Sequence, residues 1–536
     1  MFKAETALFL KPEVRVEALV NQWYAWLYTV SPAAAARYLV QRQIPLLKSY
    51  IKMPKLHTMA ARSPRLEGGN FVDLAPEYLD ECCVLLDQLL AQKDAQVLSD
   101  ALLDLNRLLQ NHPSEHSLSE LYSDIPASLK GYVELTYDMF NNLSYRLMEA
   151  LLYQSEYYRT DRQSLSLSID HQARAFTLST PRIADSGYHW PVAFRDKRVD
   201  RLFQTELEPL TWSEIKALLS VSEKDEEQVR KLFTDEQRFL SPEIKCTDMG
   251  LPDKQGSLRC HYFGHACVLV EAQGKTLLVD PVISYYDHSD PERLCFRDLP
   301  EHIDYVLITH GHMDHLNLET LLRIRYKVGT VVVPATTNGQ LQDPSMKLML
   351  ENCGFNHVVA LDNSELITFA EGFIQAVPFF GEHADLNIQA KCCYLISIGE
   401  QKVMFAADTC NVEPALYQHF FRLSGKVDYL FVGMESEGAP THWIYEPVLA
   451  DKLSKGANES RRLNGSNAIQ AEAMVKDLGC EKVFIYALGL EPWLSPLMGL
   501  THTEDSKQLQ QVEQFINSLG PQGIDVRLLS GTCRVL

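Results

Sequence analysis

The sequence lacks the cysteine spacings that would indicate a structural zinc site or a disulfide framework. It contains 12 cysteines, none of which form a C-x-x-C pair, and two pairs (Cys82–Cys83 and Cys392–Cys393) are directly adjacent. Zinc ribbons need pairs of cysteines separated by two residues, and small secreted domains carry several disulfide-bonded cysteine pairs. We therefore expect free, buried thiols in a reducing compartment.

The sequence also lacks long apolar runs and an excess of basic residues. No stretch reaches the roughly 18 apolar residues of a membrane span, and the N-terminal apolar stretch is too short and broken for a signal peptide. The formal net charge is −20, which argues against nucleic acid, whose affinity comes largely from phosphate neutralisation. We expect a cytoplasmic protein with no membrane or nucleic acid partner.

Hydrophobic periodicity divides the chain into two parts. Apolar residues recur every three or four positions in stretches 20–51, 79–110 and 131–158, which favours helices, while SLSLSIDHQARAFTLST alternates and predicts strands. Residues 240–257 have no periodicity and are rich in Pro, Gly and charge, as expected of a boundary. This predicts a mostly helical α+β N-terminal domain at 1–245 and a second domain at 257–536.

The second domain alternates short apolar strands with helices. RCHYFGHACVLVEAQGKTLLVDPV predicts two strands around a turn at 273–275, and DYVLITH, TVVVPA, VDYLFVGME and KVFIYALG predict further strands separated by helical stretches. Such alternation is typical of a layered α/β domain.

Potential metal ligands cluster directly after one of these strands, in DYVLITHGHMDHLN. Here His310, His312, Asp314 and His315 lie within six residues. Other charged residues also follow apolar strands: Asp280, Glu382 with His383, Asp408 and Glu435. Side chains at strand ends can converge on one edge of the sheets, where a rigid scaffold fixes their geometry.

The complete H-x-H-x-D-H motif resembles that of the metallo-β-lactamase superfamily, which implies a C-terminal αββα sandwich. By this resemblance His310 and His312 would bind one metal, Asp314 and His315 the other, and Asp408 would bridge them. Asp280 would orient a ligand histidine from behind. The ordinary member is a zinc hydrolase that activates water.

Two departures from that pattern change the expected metal. Glu382 and His383 compete for a position usually held by histidine, and the strand KVFIYALG ends without the usual last histidine, leaving Glu435 as the candidate. Carboxylates in place of imidazoles make the site rich in oxygen, which suits iron or manganese better than zinc.

Longer stretches in both parts resemble a more specific family, the dinuclear iron β-hydroxylase of chloramphenicol biosynthesis and its relatives in nonribosomal peptide pathways. The matching stretches are WYAWLYTVSP, LYQSEYY, YFGHACVLVEAQGKTLLVDPVISY, ETLLRIRYKVGTVVVPATTN, PFFGEHADL, FAADTCN, FVGMESEGAPTHWIYEP, SRRLNGSN and YALGLEPW. The resemblance implies hydroxylation of the β-carbon of an aminoacyl thioester on a carrier protein, with O2 and two external electrons. It also implies an antibiotic-pathway enzyme that forms a homodimer and receives electrons from a reductase.

Carried over residue by residue, the resemblance implies seven iron ligands: His310, His312, Asp314, His315, Glu382, Asp408 and Glu435. His383 would be a neighbour rather than a ligand. The N-terminal domain would serve dimerisation or contact with the substrate or carrier. Arg461 and Arg462 form a basic loop that could meet the carrier protein, or could equally be a solvated loop before a helix.

Two other functions remain open at this point. One is a zinc lactonase or thioesterase on the same fold, and the other is a metal-stabilised interaction protein without catalysis. The carboxylate-for-histidine changes disfavour the first. The open, many-ligand set disfavours the second, because structural metal sites tend to be closed four-ligand cages.

Overall fold

The N-terminal domain is built mainly of helices in this computed structural model, which describes residues 6–236 and 258–536 apart from 64, 65, 67, 113–116, 170–173, 184–186, 291, 371, 455, 457–461, 500, 501 and 504. In α6, Leu98, Leu102, Leu105 and Leu109 lie on one buried face. The helices are α1 Leu27–Val30, α2 Pro32–Tyr38, α3 Ile44–Lys52, α4 Pro54–Ala61, α5 Leu79–Leu90, α6 Lys93–Asn111, α7 Glu149–Leu152, α8 Lys197–Gln204, α9 Trp212–Leu219 and α10 Glu226–Arg230.

Eight short strands complete this domain: β1 Phe9–Leu10, β2 Arg15–Val20, β3 Trp23–Tyr24, β4 Val133–Tyr137, β5 Leu143–Leu147, β6 Gln163–Ser168, β7 Tyr188–Pro191 and β8 Phe233–Thr234. They form an antiparallel sheet in the order β3-β2-β6-β7 and two separate pairs, β4-β5 and β1-β8. The predicted strand at SLSLS is β6, whereas residues 174–180 of the same stretch do not form a strand. The proposed domain boundary, 245–257, lies outside the described residues.

The helix predicted over 131–158 was wrong, because most of this stretch is the hairpin β4–β5. Val133 and Leu135 are buried, whereas Glu134 and Thr136, which alternate with them, are only half-buried, and this period of two favours a strand. The Asp138 carboxylate accepts hydrogen bonds from the backbone N–H groups of Phe140 and Asn142 and so fixes the turn.

The C-terminal domain stacks two seven-stranded sheets. Their orders are β14-β13-β12-β11-β10-β9-β22 and β15-β16-β17-β18-β19-β20-β21. The strands are β9 Arg259–Gly264, β10 Cys267–Ala272, β11 Lys275–Val279, β12 Ile303–Leu307, β13 Val328–Pro334, β14 Val358–Leu361, β15 Leu366–Phe369, β16 Gly372–Val377, β17 Cys393–Ile398, β18 Gln401–Phe405, β19 Tyr429–Gly433, β20 Lys482–Tyr486, β21 Asp525–Leu528 and β22 Cys533–Arg534. The stretch predicted as two strands forms three, because Gly264 and His265 have positive φ values (112° and 50°) and break it.

Helices cover the outer faces of the two sheets: α11 Leu318–Ile324, α12 Met346–Asn352, α13 Ala415–Ser424, α14 Ala468–Leu478, α15 Ser495–Met498 and α16 Lys507–Leu519. One apolar core lies between the sheets and another lies under α13, α14 and α16. A third core is continuous from α11 and α12 into the N-terminal domain, which therefore packs on the first sheet. This arrangement confirms the predicted αββα sandwich preceded by a mostly helical domain.

None of the helices in the described part of the chain is both long and apolar enough to cross a bilayer.

Candidate metal centre

The chemical groups of the centre come from one edge shared by both sheets. Strands β11 to β14 run parallel to one another, as do β18 to β21. Their carboxyl ends therefore meet at the same edge, as expected for a ligand site in parallel sheets. Asp280 follows β11, the histidine cluster follows β12, Asp408 follows β18 and Glu435 follows β19.

Three overlapping groups of side chains place one ligand atom each within 4.8 Å of the others. They are His310–His312–Glu382, His310–His315–Asp408 and His265–Asp314–His315. Six of the seven predicted ligands are thus brought together. His310 and His315 each belong to two groups, so the three groups form one continuous centre.

In the first group, Nδ1 of His312 lies 3.1 Å from Oε1 of Glu382. Glu382 therefore joins the two histidines of the motif in one group, while the His383 ring lies beside them, 4.6 Å from the His312 ring between centroids. Glu382 and His383 both have positive φ values (52° and 50°), so the loop after β16 turns sharply here and places the carboxylate inward.

In the second group, Asp408 approaches histidines from both halves of the motif. Its Oδ2 atom lies 3.0 Å from Nε2 of His315 and 3.7 Å from Nε2 of His310. A carboxylate in this middle position has the geometry to serve both halves of a two-metal site.

The third group contains His265, a residue that the sequence reasoning missed. Its Nδ1 atom accepts a hydrogen bond from the N–H of Gly489, so its Nε2 carries the proton and donates to Asp314 Oδ2 at 3.1 Å. His265 therefore holds Asp314 in place from behind. It directly follows β9, another strand that ends at this edge, and that position was the available signal.

Asp280 also acts from behind the centre. It is fully buried and accepts hydrogen bonds from the N–H and hydroxyl of Thr309, at 2.7 and 2.6 Å. Its Oδ2 atom lies 2.9 Å from Nδ1 of His315. A carboxylate on this nitrogen leaves Nε2 of His315 as the atom that faces the centre.

Tyr445 is a second residue that the sequence reasoning missed. Its buried hydroxyl lies 2.9 Å from Nε2 of His312 and 2.5 Å from Nδ1 of His383. His383 in turn approaches Glu382, with Nε2 and Oε2 2.7 Å apart. Tyr445 lies within the FVGMESEGAPTHWIYEP stretch, but no ligand motif distinguishes it there.

Glu435 lies outside the three groups and is half-buried. Burial and the nearby carboxylates of Asp408 and Asp314 raise its pKa well above the usual range. A cation bound close by would favour its ionised form.

The basic loop is only partly described. Arg461 lies outside the described residues, and Nη1 of Arg462 lies 3.5 Å from Oδ2 of Asp385, three residues after Glu382. Arg462 is therefore paired close to the loop that supplies Glu382.

Electrostatics favour a carboxylate at Glu382 and a neutral imidazole at His383. Although burial acts to raise the pKa of Glu382, the adjacent His312 and His383 lower it well below its usual range. Burial lowers the pKa of His383 to about 4, despite the Glu382 carboxylate beside it. At neutral pH Glu382 is thus available as an anionic ligand.

Several buried polar atoms at the centre have no hydrogen-bond partner among the described residues: Nε2 of His310, Nε2 of His315 and Oδ1 of Asp408. Burying such atoms without a partner is costly, so their convergence fits a bound cation. The mixed set of imidazoles and carboxylates, left open rather than closed by four ligands, suits redox-active iron.

Comparisons with known proteins agree with this chemistry. Residues 9–237 match the diiron non-heme beta-hydroxylase N-terminal domain family, and residues 275–444 match the beta-lactamase superfamily domain. The 4-amino-L-phenylalanyl-[CmlP-peptidyl-carrier-protein] 3-hydroxylase of Streptomyces venezuelae is 34% identical over 525 residues, covering 96% of this chain and 97% of the relative.

The same likeness holds in three dimensions. The crystal structure of CmlA, a diiron beta-hydroxylase from Streptomyces venezuelae, superposes with a TM-score of 0.90 at 33% identity and covers 99% of both chains. A substituted form of CmlA gives a TM-score of 0.87, also at 33% identity, over 98% of this chain and 99% of that one. The resemblance predicted from the sequence is confirmed, and the chain belongs to the diiron non-heme β-hydroxylases.

Proposed function

We propose that the protein hydroxylates the β-carbon of an aminoacyl group held as a thioester on a carrier protein of a nonribosomal peptide synthetase. The observation that carries this proposal is the joined His/carboxylate centre in a chain that matches a carrier-dependent 3-hydroxylase along almost its whole length. The hydrolase alternative is not favoured, because the relatives that match both domains are diiron hydroxylases.

The ligand set is proposed as two halves around Asp408. His310, His312 and Glu382 form one half, and Asp314 and His315 form the other, with Glu435 as a further ligand. The chemistry that two bound iron ions supply is the reductive activation of O2, in which C–H, O2, two electrons and two protons become C–OH and water.

The chain's own residues position these ligands. Asp280 fixes the tautomer of His315, His265 fixes the orientation of Asp314, and Tyr445 contacts both His312 and His383. The N-terminal domain excludes water from one side, because a side chain added at Gly311, between the two motif histidines, would lie 2.6 Å from Leu27.

The wider setting of the enzyme is also part of the proposal. The aminoacyl carrier protein is the substrate partner, an electron-transfer reductase supplies the electrons, the chain forms a homodimer, and the reaction takes place in the cytoplasm. Residues 1–245 serve dimerisation or contact with the carrier, and 257–536 hold the metals. Arg461 and Arg462 are proposed to contact the carrier, Arg462 from beside the loop that supplies Glu382.

The test is metal content and optical spectroscopy on protein purified without chelators, followed by a panel of aminoacyl-loaded carrier domains with O2 and a chemical reductant. About two irons per chain and a hydroxylated aminoacyl product are expected. Two zincs that persist after growth in iron-rich medium, with no hydroxylated product, would overturn the proposal.

A further inference from the structure

The segment from residue 18 to residue 66 contains no acidic residue, although Asp and Glu account for 70 of the 536 residues. The same segment contains seven basic residues: Arg37, Arg42, Lys48, Lys52, Lys55, Arg62 and Arg65. A long acid-free stretch in a protein of net charge −20 calls for a physical reason. Arg62 pairs with Asp73 and Arg65 lies outside the described residues, and the structure divides the other five into two groups.

The inner group holds the loop that carries Tyr445. The buried Arg42 guanidinium donates to the carbonyls of His442 and Trp443, and the Tyr38 hydroxyl donates to the carbonyl of Ile444. Arg37 donates to the carbonyl of Pro447 at 3.0 Å. These arginines have a packing role and need no ligand.

The outer group faces solvent. Lys48, Lys52 and Lys55 are exposed, and within the described part of the chain none of them forms an ion pair. Beside them, Met53, Leu56 and Met59 are 49%, 53% and 73% exposed. Met53 directly precedes α4, and Leu56 and Met59 lie on it three residues apart, whereas His57 and Ala60 of the same helix are buried.

We propose that this basic and apolar surface, formed by Lys48, Lys52, Met53, Lys55, Leu56 and Met59, is where the carrier protein docks. The inference rests on the proposed function and gives it a location. The prosthetic arm of a carrier leaves its serine through a phosphodiester, so a carrier presents negative charge at the point from which its substrate extends. Lysines around an apolar patch complement such a partner, with charge steering the encounter and the apolar centre holding it.

A second copy of this chain fits the surface poorly. In a two-fold dimer the same patch lies on both sides of the interface. In an interface centred on this patch, where it would meet its own copy at the two-fold axis, lysines would face lysines, and like charges across an interface are costly.

The surface is also connected to the metal centre. The same segment continues inward through Arg42 and Tyr38 to residues 442–444, and the next residue, Tyr445, contacts His312. A carrier bound on α3 and α4 would therefore lie on a segment that continues directly from the residues that hold the Tyr445 loop.

The test uses iron-loaded, full-length enzyme and a carrier domain that the wild type hydroxylates. The triple charge reversal Lys48→Glu, Lys52→Glu, Lys55→Glu should raise KM for the carrier at least about tenfold and flatten its dependence on salt, while kcat stays within about twofold. Leu56→Ser with Met59→Ser should raise KM and retain the salt dependence.

A matched control reverses the exposed Lys130, Lys224 and Lys231, which changes the net charge by the same amount elsewhere. An unchanged KM in the first triple variant, or an equal rise in the control, would overturn the docking surface. A change in oligomeric state by size-exclusion chromatography without a change in KM would assign the surface to a second copy instead. If the wild type hydroxylates no carrier domain, the proposed function fails first and the docking surface with it.

Discussion

The phenolic oxygen of Tyr445 lies 2.9 Å from Nε2 of His312, on the side of the ring opposite the nitrogen that approaches Glu382. An imidazole that gives Nδ1 to a metal keeps a proton on Nε2 and needs an acceptor for it. Tyr445 supplies that acceptor, so it positions His312 without being a ligand.

Replacing Tyr445 with Phe should remove this acceptor and let the His312 ring rotate. We expect iron affinity at the His310–His312–Glu382 half to fall about tenfold, the lower end of the usual effect for such partners. Iron per chain after dialysis against a graded chelator measures it. Tyr50→Phe, which removes a buried hydroxyl bound only to the carbonyls of Leu74 and Ala75, is the control and should retain its iron.

His265→Ala should weaken the other half of the centre, because Asp314 would lose the donor that orients it. We expect the dissociation constant of one iron to rise about 10- to 100-fold, and a metal titration measures it. His265→Gln keeps a donor and should recover part of it. His261→Ala, three residues before the end of the same strand, removes a histidine that contacts Glu271 instead. If both histidine variants lost iron equally, His265 would not be a specific positioning residue.

Glu382→His should shift metal preference from iron towards zinc, because an imidazole replaces an anionic oxygen ligand at the His312 half. The zinc-to-iron ratio after growth in medium containing both metals tests this, alongside the optical spectrum. Glu413→His, which changes an exposed carboxylate in the segment that follows Asp408, controls for adventitious zinc. Equal ratios in wild type and Glu382→His would show that this carboxylate does not set the preference.

Glu149 should make the stability of the protein depend on pH. Its carboxylate accepts a hydrogen bond from the N–H of Ser345, but burial raises its pKa from 4.5 to about 7. The folded state thus binds more protons than the unfolded state between these values. Its contribution is fully present below about pH 4.5 and is lost as the pH rises through about 7, by about 3 kcal/mol in total.

Urea unfolding at pH 5 and pH 8 measures this loss. Glu149→Gln keeps an acceptor for Ser345 but cannot ionise, so its stability should fall less between the two pH values. Glu120→Gln, at an exposed position, should follow the wild type. Parallel behaviour of all three proteins would mean that Glu149 does not ionise in this range.

Removing the metals should loosen the contact between the two sheets. The motif from His310 to His315 follows a strand of the first sheet, whereas Glu382 and Asp408 follow strands of the second. Ions bound by ligands from both sheets act as cross-links between the sheets. A ligand at 100 times its dissociation constant stabilises the folded state by about 2.7 kcal/mol. Thermal unfolding before and after chelation should show a lower Tm for the chelated protein, restored by ferrous iron. An unchanged Tm would contradict the proposal that bound metal stabilises the folded protein.

The alternation of strands and helices was sufficient to predict a layered α/β domain with ligand-bearing strand ends at one edge, and the resemblance of the histidine motif supplied the αββα sandwich. It was insufficient for residues whose role depends on distant contacts. His265 has no motif partner nearby, and Tyr445 meets His312 across 133 positions of sequence. The hairpin at 131–158 was missed because its apolar residues also fit a helical period, and only the Asp138 turn decides between the two.

Arg42 and Tyr38 donate hydrogen bonds to residues 442–444, and Leu27 lies against Gly311. These contacts from the N-terminal domain determine how much of the chain an active enzyme needs. The sandwich supplies all the proposed ligands, yet a wall of the centre and the anchor of the Tyr445 loop belong to the other domain. A trimmed chain beginning near residue 258 would leave apolar surface of the first sheet bare and the histidine motif open to water. The two domains therefore form one catalytic unit, and neither can be exchanged independently of the other.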